Sequence, residues 1–108
     1  MATLTDFINF FFSQGRKKIL KNAMTKKEVV DGRVFEPENV KKIVFEDDSG
    51  WHLLVEMDSG DFVLFQVVVI FVLGRVSTNI LSTKEAFEYL VNINEFNLAS
   101  KYGDISYI

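Results

Sequence analysis

Between residues 62 and 73 the chain reads FVLFQVVVIFVL, with Gln66 as its one polar position and no charge. As a helix, twelve residues would reach about 18 Å, against about 30 Å for the hydrocarbon core of a bilayer. The run is too short to span. Val63, Val67, Val68, Val69, Ile70 and Val72 are β-branched. Such side chains lose rotamer freedom against a helical turn and pack well on a pleated surface. Hydrophobicity that is continuous rather than alternating predicts cover on both faces. The pattern therefore predicts a central strand, or two strands with a bend near Gln66–Val67.

Upstream, EDDSGWHLLV (46–55) and EMDSGDFVLF (56–65) repeat with a ten-residue offset. Each Asp-Ser-Gly supplies side-chain acceptors and a residue free to take positive φ, as tight turns require. The result is a meander, with strands predicted at 40–46, 51–57 and 62–73 and a further piece at 75–80.

Helical spacing appears at both ends. Ser82 with Glu85 three residues later is a capping-box signature. After it, Ala86, Phe87, Tyr89, Leu90, Ile93 and Phe96 share one side, and Lys84, Glu88, Asn92 and Glu95 the other. Near residues 5–24, Leu4, Phe7, Ile8, Phe11, Phe12, Ile19 and Ala23 fall within an arc of roughly 160° at about 100° per residue. This arc is expected to cover the sheet, with a kink or stop at Gly15. Phe10, Leu20 and Met24 lie off it, beside Lys17 and Lys21, as surplus apolar residues. Residues 31–39, with the single proline Pro37, read as a loop, and the chain end as a turn at Gly103-Asp104 leading to a short edge strand. The fold class expected is α+β: a single domain over 1–108, with an antiparallel meander sheet of three to five strands flanked by an N-terminal and a C-terminal helix.

Composition narrows the function classes. Hydrophobic residues make up 48% of the chain, eleven of them Phe, which supplies a core and excludes disorder. There is no cysteine, so disulfides, thiolate metal sites and thiol catalysis are excluded. The apolar cluster at 7–12 precedes the basic cluster at 16–18, the reverse of a secretory signal, so a cytoplasmic location is expected. Charge is uneven: residues 1–30 hold six basic and two acidic side chains, and the rest six basic and thirteen acidic. A basic head on an acidic body suits either an anionic partner or self-complementarity.

Candidate chemistry is sparse. His52, the one histidine, has the titration range of a general base but no recognisable nucleophile beyond nearby Ser49. As neighbours in a strand, Trp51 and His52 point to opposite faces, with Trp51 expected inward. The acidic turns offer oxygen ligands, yet they sit at opposite ends of one strand, roughly 20 Å apart by strand rise, and lack EF-hand spacing. No phosphate-cradling loop is present. No catalytic residue, cofactor or metal site is expected. The basic stretch 16–27 could meet phosphates or an anionic membrane, but the sheet region is acidic, unlike that of single-strand nucleic-acid readers.

Residues 86–108, AFEYLVNINEFNLASKYGDISYI, read as an amphipathic helix running into INEFN, then the aromatic-Gly pair Tyr102-Gly103, then a short strand ending in Tyr107. This segment, about a fifth of the chain, resembles the helix and following strand of YbjN-like proteins, which share the α/β fold of type III secretion chaperones. The order helix, three-strand meander, helix also agrees. The resemblance implies a small acidic non-enzymatic protein that dimerises and binds other polypeptides.

Together these features lead to the expectation of a protein-binding module without enzymatic activity, expected to be a homodimer. It would act as a chaperone-like binder, as an inhibitor or immunity-type protein, or as a phage-type small regulator. The partner-binding residues expected are Phe10, Leu20 and Met24, with Asp47, Asp48, Asp58 and Asp61 as a polar rim. The alternative is an anionic-surface binder, for membrane or nucleic acid, working through the basic N-terminal helix.

Overall fold

The computed structural model describes residues 3–70 and 73–107. Helix α1 (Leu4–Ala23) leads into a short hairpin of β1 (Glu28–Val30) and β2 (Arg33–Phe35), then a 3-10 turn at Pro37–Asn39. Strands β3 (Val40–Glu46), β4 (His52–Met57), β5 (Phe62–Ile70) and β6 (Leu73–Leu81) form one antiparallel sheet in that order. Helices α2 (Thr83–Asn92) and α3 (Phe96–Ala99) and a 3-10 turn at Ile105–Tyr107 complete the chain. The α+β class and the antiparallel meander are as the pattern predicts.

Of the two readings the run allows, two strands form, but β5 is continuous through Gln66–Val67 and the reversal comes after Ile70. The run folds back on itself: β5 ends at Ile70, which pairs with Leu73, and β6 carries the chain back to Leu81. Phe71 and Val72, at the link, lie outside the described residues. Both faces of β5 are covered from Phe62 to Phe65 and at Val67, while Val68 and Val69 are exposed. The expectation of double burial thus holds for the first part of the strand only. The reason lies in register. The last β4–β5 pair is His52 with Gln66, whereas the β5–β6 ladder continues to Ile70 and Leu73. The β5–β6 ribbon therefore runs about four residues, or roughly 13 Å, past the end of β4.

Alternation along β4 and β5 splits the core between two layers. Leu53, Val55, Met57, Val63, Phe65 and Val67 meet Leu20 of α1 and Phe35 of β2 on one face. Leu54, Phe62 and Leu64 meet Ala86, Leu90 and Ala99 of the C-terminal helices on the other. The Ser82–Glu85 capping box forms as predicted, and its hydrogen bonds from Ser82 hold the Glu85 carboxyl below the usual range. The two Asp-Ser-Gly turns place Gly50 at φ 80° and Gly60 at φ 91°, the left-handed region their sequence anticipates.

Three local expectations are corrected. Residues 31–39 are not a plain loop, since Asp31 (φ 50°) and Gly32 (φ 77°) close the β1–β2 hairpin. An Asp-Gly pair with both residues at positive φ is the turn that matches strand twist. The chain end forms a 3-10 turn instead of an edge strand. Helix α1 runs unbroken through Gly15, with a Thr3–Asp6 capping box at its start.

The fourth correction is the largest. Of α1, only Ser13 and Leu20 are buried, and every residue from Thr3 to Phe12 is exposed. The broad arc of Leu4, Phe7, Ile8, Phe11, Phe12 and Ile19 is left exposed instead of being buried against the sheet. Leu20, expected to be surplus, is 1% exposed in the core, and Met24 packs half-buried beside it. The β1–β2 hairpin explains the difference. Its Phe35 stacks edge-on against Phe65 at 5.3 Å and takes part of the sheet face that the pattern assigns to α1.

Candidate functional site

The position of α1 is set at the β3–β4 turn. Arg16 donates from Nε and Nη2 to the Ser49 carbonyl at 3.1 and 2.7 Å, and its guanidinium lies 4.0 Å from the centre of the Trp51 ring. A Cβ on Gly50 would stand 2.6 Å from the Ser13 carbonyl oxygen, so only glycine lets the helix backbone come this close. Lys21 pairs with Glu46 at 3.4 Å one turn further on. Trp51 is therefore not inward as expected. It lies at the rim under Arg16 and remains partly exposed.

This docking leaves an apolar groove of about 220 Å³ between α1 and the β5–β6 ribbon, lined by Phe12, Gly15, Ile19, Trp51, Val67 and Val69. The apolar arc of α1 continues from it toward the N-terminus, with Leu4 75%, Phe7 65% and Phe11 66% exposed. Phe10 stands on the opposite flank, over an open hollow with Asn9, Ser13, Ser49 and Trp51. Monomeric proteins rarely expose contiguous apolar patches beyond about 300–600 Å², and larger ones mark interaction sites. Among the described residues, the exposed large hydrophobic side chains gather most densely on this face.

The expected partner-binding residues are not brought together. Phe10 is exposed at the apolar end, but Leu20 is buried in the core and Met24 packs half-buried against it. Asp47 and Asp48 lie in the β3–β4 turn, Asp58 and Asp61 at the other end of β4. Asp48 and Asp58 are exposed; Asp61 is held by Arg33 at 3.0 Å. Asp47 accepts from the Ser49 hydroxyl at 2.7 Å and the Ser49 backbone N–H at 3.0 Å. Partial burial pushes its carboxyl up, but the Ser49 hydrogen bonds and His52 outweigh this and leave it below the usual range.

His52 is half-buried, with Nδ1 at 3.4 Å from Asp47 and its ring edge-on to Tyr89 at 6.1 Å between centres. The buried Tyr89 hydroxyl has no hydrogen-bond partner among the described residues. Desolvation, with the nearby Asp47 charge, pushes it up to about 12. Serine, histidine and aspartate thus meet, but in the wrong order for acyl transfer. The Ser49 hydroxyl donates to Asp47, whereas an activated nucleophile donates to the base. Among the described residues, no three His, Asp or Glu side chains gather in a way that could hold a metal ion, and no helix is long and apolar enough to cross a membrane.

Comparison with protein-family models, with curated proteins and with solved structures found no match.

Sequence reasoning passed over Gly15 and Val69 as site residues. The arc of α1 was visible, but an apolar helix face looks the same whether it meets its own sheet or another molecule. The one available signal was Asp31-Gly32 between two short apolar runs, which announces a hairpin competing with α1 for the sheet.

Proposed function

We propose that this protein is a non-enzymatic protein-binding module whose working surface is the apolar end formed by α1 and the β5–β6 ribbon. One observation carries the reading: the widest apolar face of α1 is exposed while the helix is docked on the β3–β4 turn through Arg16, Ser13 and Gly50. A rigid helix presenting an apolar face is a recurring mode of recognition between polypeptides, and it costs little ordering entropy on binding. A chaperone-like role and an inhibitor role both use such a surface. The acidic residues Asp48 and Asp58 are exposed elsewhere and form no single rim with it.

The test is capture from native cell extract with the wild-type chain and Phe11→Asp as parallel baits, each also offered an untagged second copy. Phe11 is exposed, so the variant keeps the fold, which circular dichroism checks. A polypeptide retained by wild type and lost by the variant supports the reading. Identical captures from both baits refute it.

A second reading, contact with an anionic membrane surface, is favoured by the exposed first half of α1 followed by Arg16, Lys17, Lys18 and Lys21. Amphipathic helices of this kind lie in the headgroup region. Co-sedimentation with acidic vesicles that vanishes in moderate salt supports it; absence of binding at low salt ends it.

A further inference from the structure

We infer that the apolar face of α1 is covered by the same face of a second copy of this chain, the two helices packed antiparallel about a two-fold axis near Phe11 and Phe12. The inference rests on the protein-binding reading above and names the occupant.

Area is the first argument. A phenylalanine exposes up to about 150–250 Å², and Phe7, Phe11 and Phe12 are each more than half exposed. With Leu4, Ile8, Ile19 and Val69 the face amounts to roughly 700 Å² per copy, close to the ~800 Å² per partner of a stable interface. A face of that size and apolarity matches a homodimer contact, where the fully buried core is largely apolar.

Self-complementarity is the second. The stripe reads Leu4, Ile8, Phe11/Phe12, Gly15, Ile19, with spacings of three and four that keep it on one side of the helix. Reversed on itself about its middle, it sets Leu4 against Ile19 and Ile8 against Gly15. The large residue then falls opposite the small one, and the space over Gly15 is open: a Cβ there would meet nothing within 4 Å. The adjoining groove of about 220 Å³ exceeds the ~150 Å³ apolar cavity that accepts benzene, so it has room for a phenyl ring of the second copy.

Charge decides the direction. The first half of α1 carries only Asp6, and the second half carries Arg16, Lys17, Lys18 and Lys21. A parallel pair would set the two basic halves side by side. An antiparallel pair places each basic half beside the charge-poor half of the other, with helix dipoles opposed. The two-fold contact is closed, so it yields a dimer and no fibre.

The chain has no cysteine, which makes cross-linking clean. Sedimentation of the full chain is expected to show a dimer, reduced to monomer by Phe11→Asp and by Gly15→Leu, which fills the space over the helix. The double variant Ile8→Cys/Gly15→Cys is expected to oxidise to a covalent dimer. Ile8→Cys alone is expected to stay uncoupled, because antiparallel pairing separates the two copies of residue 8 by about 10 Å along the axis, beyond the ~7 Å reach of a disulfide. Rapid coupling of Ile8→Cys alone overturns the antiparallel arrangement. A wild-type monomer at all concentrations overturns the second copy as occupant, and the bait comparison above then still decides the protein-binding reading. A monomer that moves with lipid vesicles, while the two baits capture the same set, overturns both.

Discussion

Arg16 donates to the Ser49 carbonyl, 2.7 Å from Nη2, while its guanidinium lies over the ring of Trp51, 4.0 Å from the ring centre. Residues 33 positions apart in sequence thereby tie α1 to the β3–β4 turn. The tie fixes which side of α1 faces the sheet, and so which side faces outward.

Arg16→Ala removes both the cation–π contact and the two hydrogen bonds, and is expected to cost about 1–2 kcal/mol of stability. Arg16→Lys keeps the charge but not the planar fork and is expected to recover less than half of that loss. Urea unfolding of the three proteins, at equal concentration, is the measurement.

Gly50 and Gly60 share a turn sequence and a positive φ, but differ in surroundings. An alanine at either meets left-handed strain of about 1–2 kcal/mol. At Gly50 the new Cβ also collides with the Ser13 carbonyl, whereas at Gly60 it finds open space. Gly50→Ala is therefore expected to lose at least about 1 kcal/mol more than Gly60→Ala in thermal or urea unfolding, since overpacking adds its own cost.

Helix α1 supplies one fully buried apolar side chain, Leu20. Leu20→Ala is expected to cost about 2–5 kcal/mol through the cavity it leaves. Phe11→Ala, though it deletes a larger side chain, is expected to change the stability of the monomer by no more than about 0.5 kcal/mol. Unfolding at a dilution where the wild type is monomeric separates the two. Equal losses would mean that α1 sits the other way round.

Desolvation, and after it the neighbouring Asp47 charge, push the Tyr89 hydroxyl up to about 12 in the folded chain. The unfolded side chain ionises near its ordinary value of 10.0. A folded pKa above the unfolded one means that its contribution to stability is complete below about pH 10 and is lost as pH rises toward 12. Tyr89→Phe is expected to flatten that alkaline loss. At neutral pH it is expected to be neutral or mildly stabilising, because it deletes a buried hydroxyl that has no hydrogen-bond partner among the described residues. Stability against pH, read by urea midpoints, checks both.

Local signals carried much of the architecture. The Asp-Ser-Gly repeats anticipated two turns, and Ser82 with Glu85 marked the start of α2. Each is settled within four residues, so each is legible in the string. Where β5 turns back was not legible, because Ile70, Phe71, Val72 and Leu73 contain no turn-forming residue. A continuous apolar run marks a strand without saying how long it lasts.

The candidate site shows the same division. Phe10 was named from sequence and is exposed, while Leu20 and Met24, chosen by the same reasoning, are core residues. Helical periodicity sorts side chains by angle around an axis and contains no statement about which angle meets the body.

By itself, then, the sequence determined the element types, the meander and a helix with one broad apolar side, because propensity, turn chemistry and periodicity act over a few neighbours. Only the tertiary structure decided that this side looks outward. That outcome follows from long-range contacts: Phe35 occupying sheet surface, Gly50 admitting the helix backbone, and Arg16 holding it against Trp51.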